Sequence, residues 1–225
     1  MVENGYLKLL IHKGEWTRTV SVTNDDGTTE KVDVSGNWNS GHMWTKKTAF
    51  YSRYGYYEAM YRYPLGKTPY CNNSFWLCSI GGPYLELDIN EGRMPSKIQM
   101  NMHWNHYYDE EGNLIPVEGG RTSSGGAAYV PRDLSQNFHR YGLYWDTDKL
   151  IWYFDGVPLR EFALEGRGDF DVAVYFSVAI MKIKDSNGEV LSPSEFEAYE
   201  EEFGDLDGKS MDVEYVRVYQ PKSAQ

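Results

Sequence analysis

Ile151-Trp152-Tyr153-Phe154-Asp155-Gly156-Val157-Pro158-Leu159-Arg160-Glu161-Phe162 joins two runs rich in β-branched and aromatic residues across an Asp-Gly pair. A two-residue type I′ turn needs positive φ at both central positions, which Asp-Gly adopts cheaply. The stretch therefore predicts a tight antiparallel hairpin with strands over Leu150–Phe154 and Val157–Phe162. Similar short runs, bounded by turn residues, recur at Gly5–His12, Met43–Phe50, Gly55–Tyr63, Ser74–Ile80, Tyr84–Glu91, Lys97–Trp104, Phe138–Trp145, Val172–Ile180 and Met211–Tyr219. No helices alternate with them, so the fold class is all-β, an antiparallel sandwich or barrel.

The rest of the chain fits that frame. Asn24-Asp25-Asp26-Gly27 reads as a looser turn. One surface helix is expected at Pro193–Phe203, with Ser192 as N-cap and Glu195 completing a capping box. Tyr107–Val130, rich in Gly, Ser, Asp and Glu, reads as a long excursion over one sheet edge. At 225 residues the chain is long enough for one large β domain, so residues 1–225 are taken as a single unit. Aromatics at 16%, with 19 Tyr and 7 Trp, favour strands.

Charge and cysteine usage exclude several function classes. A net charge of −11 argues against nucleic-acid or anionic-membrane partners, which demand clustered Lys and Arg. No apolar run reaches the ~18 residues of a membrane span, and Met1-Val2-Glu3-Asn4 lacks the basic and apolar regions of a signal peptide. Cys71 and Cys78 make neither a disulfide framework nor a zinc site. They read as two unpaired thiols, Cys78 buried on a strand, with a bond between them as the alternative.

The chemistry concentrates in Tyr84-Leu85-Glu86-Leu87-Asp88-Ile89-Asn90-Glu91, where three carboxylates fall within six residues of a predicted strand. On a regular strand Glu86, Asp88 and Asn90 share a face and Glu91 points away. A β-bulge near Ile89-Asn90 absorbs one residue and turns Glu91 onto the face of Glu86 and Asp88. Such crowding costs stability, because like charges on one face repel. Two carboxyls about 5 Å apart, one of them protonated, are the apparatus of retaining glycoside hydrolysis. The competing readings are a solvent-facing edge strand protected by its charges, and a divalent-cation site formed by the three acids and His103.

Neighbouring aromatics favour sugar chemistry, since pyranose rings stack on aromatic faces and their hydroxyls need convergent polar groups. Trp76 precedes the acids by one loop, and His103-Trp104 ends the following strand. Trp76 reads first as a residue holding the acids and second as a sugar platform. Trp104 and Trp38 divide evenly between core and platform, and His103 is expected to bond one of the acids.

At this point the residues resemble a known family. Glu86-x-Asp88-x-x-Glu91 is similar to the bulged signature of glycoside hydrolase family 16. SGHMWTK (Ser40–Lys46), YGYYEAMYR (Tyr54–Arg62), NSFWL (Asn73–Leu77), FHRYGLYW with IWYFDGVPL (Phe138–Leu159) and DVEYVRVYQ (Asp212–Gln220) follow in the same order. The resemblance implies a jelly-roll β-sandwich with a concave cleft. It implies Glu86 as nucleophile, Glu91 as acid/base and Asp88 as the assisting carboxyl between them. Asn72-Asn73-Ser74 stands where glucan-cleaving members carry Trp-Pro-Ala, which points towards the galactan-cleaving branch. Met60 stands where the family usually has Arg, so that cleft contact is expected either to be missing or to come from Arg62. The resemblance implies an N-terminal strand and loop before the segment matching Gly5–His12, and the chain starts almost on top of that segment, so the expectation is either a trimmed start or a sandwich that lacks an edge strand. Many members hold a structural calcium, but Glu214 rather than Asp stands at the matching last-strand position, so no cofactor is expected.

The implied function is a retaining endo-β-glycanase on a galactan, acting as a monomer outside the cell or in the periplasm after export by a leader not present in this chain. The alternatives are a β-glucan hydrolase, a transglycosylase using the same covalent intermediate, and a carbohydrate-binding lectin on the same sandwich.

Overall fold

The computed structural model of the protein describes residues 1–24, 26–46, 49–64, 71–180 and 206–221, with position 37 described by its backbone alone. The strands are β1 Val2–Glu3, β2 Tyr6–Thr23, β3 Thr29–Ser40, β4 His42–Trp44, β5 Gly55–Arg62, β6 Cys71–Ser79, β7 Leu85–Gly92 and β8 Lys97–Trp104. They continue as β9 His106–Tyr108, β10 Leu114–Pro116, β11 Thr122–Tyr129, β12 His139–Trp145, β13 Lys149–Phe154, β14 Val157–Ala163, β15 Val172–Ile180 and β16 Ser210–Tyr219. Among the described residues there is no helix, and the Pro193–Phe203 segment lies outside them.

Two antiparallel sheets form a jelly-roll sandwich. One is eight-stranded in the order β1-β2-β16-β5-β12-β13-β14, with β3 added through β2; the other is six-stranded in the order β11-β8-β7-β6-β15-β4. The β13–β14 hairpin forms as its turn chemistry predicts: Asp155 and Gly156 have φ of 49° and 83°, and Phe154 pairs with Val157. Alternation then divides each strand between core and surface. Tyr57, Ala59 and Tyr61 of β5, with Trp145 and Trp152 behind them, face Leu85 and Leu87 of β7 and Ile98, Met100 and Met102 of β8. Burying each large side chain contributes about 1.5–3 kcal/mol, so this interface between the sheets dominates the stability.

Several elements differ from the sequence reading. β2 and β3 run far beyond Gly5–His12 as a two-stranded ribbon in which Val20 pairs with Val32 and Thr17 with Ser35. Its outer part is mostly exposed, so it lacks the buried-face alternation that marks core strands. The Met43–Phe50 segment shrinks to β4, an edge strand of three residues, beyond which Ala49 N–H donates to the Lys46 carbonyl at 2.8 Å. Part of the Tyr107–Val130 excursion is a strand: β11 pairs with β8 over its whole length, Thr122 with Trp104 through Tyr129 with Lys97. Its Ser, Gly and Ala residues gave no apolar period to detect. Cys71 and Cys78 are buried and unpaired, and burial pushes both thiols up, to about 12 and about 11.

Candidate active site

The bulge in β7 lies at Ile89-Asn90. Towards β6, Trp76 pairs with Asp88 and Phe75 with Asn90, so Ile89 is the extra residue. Towards β8, Asp88 pairs with Asn101 and Glu91 with Gln99, so Ile89 and Asn90 together oppose Met100. Ile89 and Asn90 both turn into the sandwich and are buried. Glu86, Asp88 and Glu91 consequently line one open pocket of about 170 Å³ with Asn72, Ser74, Trp76 and Ser177.

Each acid has its own partners. The Tyr84 hydroxyl donates to Glu86 Oε2, and Arg121 Nη2 lies 3.4 Å from Oε1. The Asn72 amide donates to Glu91 Oε1 at 2.9 Å and that of Asn101 to Oε2 at 2.5 Å. His103 Nε2 lies 3.3 Å from Asp88 Oδ2 and 3.7 Å from Glu86 Oε1. Asp88, only 4% exposed, has its carboxyl pushed up to about 6. Burial is the main cause, the charges of Glu91 and Glu86 add to it, and the His103 hydrogen bond opposes it. The same hydrogen bond raises the His103 imidazole against the effect of burial.

Trp76 sits in the pocket wall with its indole donating to Ser177 Oγ at 3.2 Å. Its ring stacks on Tyr175 at 4.3 Å, which in turn stacks on the half-exposed Trp44 at 6.2 Å. A strip of rings therefore leads from the acids across β15 to the β4 edge, while β8 and β11 on the other side present Asn101, His103 and small residues.

Three expected binding residues stand elsewhere. Trp104 is 7% exposed within the core, because it follows His103 on β8 and must face the opposite way. It packs near Phe162 and Arg167. Arg62 lies on the far face of the eight-stranded sheet, since Tyr57, Ala59 and Tyr61 take the inward positions of β5. Its guanidinium binds Asp212 at 2.7 Å and covers Phe138. Trp38 packs part-buried against the core beneath Lys13, 5.0 Å from its ring centre, and is not among the residues lining the acid pocket.

Cation binding fits poorly in both places considered. Glu86, Asp88 and His103 offer ligand atoms within 4.8 Å of one another, but these groups already pair among themselves and with Tyr84 and Arg121. On the far face Glu214 is exposed, and the buried Asp212 beside it is neutralised by Arg62 and by Lys8 at 3.4 Å.

The sequence reading took Asn72 as a mark of the substrate branch without its bond to Glu91, and overlooked Tyr84, Asn101, Arg121 and the Tyr175–Trp44 strip as site features. Two of these had a signal: Asn101 is two residues from His103 and Tyr84 two from Glu86, so strand alternation puts each on the acid face. Arg121 enters from the turn before β11, where no period exists.

Comparison with known proteins agrees with the geometry. The chain is 28% identical over 140 residues to xyloglucan endotransglucosylase/hydrolase protein 3 of Arabidopsis thaliana, covering 60% of this chain and 43% of that protein. It is 29% identical over 143 residues to beta-porphyranase B of Zobellia galactanivorans, covering 56% and 46%. The chain thus matches less than half the length of each of these relatives. Its fold matches the kappa-carrageenase of Pseudoalteromonas carrageenovora, solved with an oligotetrasaccharide of kappa-carrageenan, with a TM-score of 0.72 at 20% identity over 97% of this chain and 81% of that one. The model for the glycosyl hydrolases family 16 matches residues 12–188. With the bulged Glu86-x-Asp88-x-x-Glu91 strand in a jelly-roll sandwich, the chain belongs to glycoside hydrolase family 16.

Proposed function

We propose that the protein is a retaining, endo-acting β-glycanase that cleaves internal linkages of a galactan. The observation carrying this reading is the bulge that gathers Glu86, Asp88 and Glu91 on one pocket face, each with different partners. Tyr84 and Arg121 hold the Glu86 carboxylate for attack on the anomeric carbon. As the glycosidic C–O bond breaks, Glu91 delivers its proton to the leaving oxygen, leaving the sugar esterified to Glu86. Water then attacks the anomeric carbon, Glu91 takes its proton, and Glu86 departs as carboxylate. Two inversions give net retention. Asp88, linked to His103 and set between the two, steadies the nucleophile and buffers charge during both steps.

The galactan assignment is supported by Asn72, which stands in place of the Trp-Pro-Ala segment and bonds Glu91 directly. The porphyranase relative and the carrageenase likeness agree with it. A polymeric substrate places the enzyme outside the cytoplasm. The test is reducing-end release by wild type and Glu86→Gln from agarose, porphyran, carrageenan, laminarin, mixed-linkage glucan and mucin glycans. Activity on a galactan that disappears with Glu86→Gln is expected. Activity confined to a glucan overturns the galactan assignment, and binding without cleavage of any polymer makes the protein a lectin.

A further inference from the structure

We propose that Asn90 is a positioning residue for Glu91: its buried amide anchors the bulge to the opposite sheet and so selects the register that aims Glu91 into the pocket. The inference rests on the acid/base reading of Glu91. Asn90 is 0% exposed in a core that is otherwise mostly apolar at the inward positions of β7. An amide buried there without partners is strongly disfavoured, so its partners decide where it sits. Its Nδ2 donates to the Tyr61 hydroxyl at 2.6 Å and to the Tyr63 hydroxyl at 2.9 Å. Tyr63 in turn donates to the Lys97 carbonyl at 3.0 Å. Tyr61 belongs to β5 in the other sheet and Lys97 opens β8, so one amide ties the bulge to two other strands.

The far side of Glu91 is fixed as well. The Tyr63 ring lies against Gly92, where a Cβ would come within 2.5 Å of both that ring and Asn73 Nδ2. Glu91 is thus held between two residues locked on the buried side. A slip of one residue exchanges the faces of a strand. It would bring Asn90 out, drive Glu91 into the core and strip the amide from both hydroxyls. Glu86 lies before the bulge in regular register with Cys78 and His103 and does not depend on this anchor. Loss of Asn90 therefore harms Glu91 selectively.

That selectivity separates positioning from general destabilisation. Asn90→Leu and wild type are compared on the polysaccharide, whose leaving oxygen needs a proton, and on a dinitrophenyl β-glycoside, whose phenolate leaves without one. Azide is then added. Its nitrogen attacks the anomeric carbon of the Glu86 ester, forming a C–N bond and releasing the carboxylate with no proton transfer. The expected result is a fall of about 100-fold on the polysaccharide, a small change in the release of dinitrophenolate in the first turnover, and azide rescue giving a β-glycosyl azide. Tyr61→Phe, which leaves the catalytic strand untouched, shows the same selectivity at smaller amplitude and serves if Asn90→Leu does not fold. Equal losses on both substrates with no azide rescue overturn the proposal. A crystal structure of the variant stands apart from the activity assignment: a shifted pairing of Glu91 with Gln99 supports the anchor, and an unchanged bulge refutes it even if the protein cleaves nothing.

Discussion

The indole nitrogen of Trp152 donates to the backbone carbonyl of Asp88 at 2.9 Å, reaching across the sandwich from β13 to the strand that bears the acids. The bulge interrupts the ladder there, and the buried indole serves a backbone group that water cannot reach. Arg160 covers the indole at 4.7 Å and donates to the Met100 carbonyl at 2.9 Å, so the back of the site is held by polar contacts. Trp152→Phe keeps most of the volume and removes the donor. It is expected to cost about 1–3 kcal/mol, read as a lower midpoint in urea, and to lower kcat more than it raises KM.

Asp88 gives the site a pH signature. Its carboxyl, raised to about 6, binds its proton more tightly folded than unfolded. The associated stability is complete below the ordinary value of about 3.9 and is lost as pH rises through 6. Above that, the ionised buried carboxylate costs on the order of 3 kcal/mol. His103 works alongside it: its imidazole is raised by the Asp88 bond, so its contribution is present below about 6.5 and fades as pH climbs through the raised value. Asp88→Asn removes the first cost and weakens the second gain. Denaturant melts are expected to show the variant more stable than wild type at about pH 8, with the advantage shrinking and then reversing under acid conditions. A variant less stable at every pH would show that the His103 bond outweighs the burial cost throughout.

Asn101 should matter as much as a conventional binding residue. Its amide holds one oxygen of Glu91 while Asn72 holds the other. Asn101→Ala is expected to lower kcat about 10- to 100-fold with little change in KM. Steady-state kinetics on the polysaccharide test this, and a pure KM effect would place Asn101 in substrate binding instead.

How much of this was legible in the sequence follows from which signals are local. The Asp155-Gly156 hairpin, the core strands and the bulge at Ile89-Asn90 are written in turn chemistry and period-two patterning, and the structure has all of them. The β2–β3 ribbon and β11 were obscure because neither buries a full apolar face. Arg62 was misassigned because the inward set of β5 is its tyrosines, a choice made by packing against the other sheet. Trp104 was decipherable in principle: once His103 faces the acids, its neighbour cannot. Asn72 and Arg121 reach Glu91 and Glu86 through tertiary placement alone, from another strand and from a turn.

The most direct test of the account is the anomeric configuration of the first-formed product, followed by proton NMR while wild type cleaves the polymer that the substrate panel identifies. Glu86 as nucleophile requires the β-anomer to appear first and to decay to the α/β mixture by mutarotation. An α-anomer appearing first would mean single displacement by water, and would contradict the assignment of Glu86 and Glu91 together.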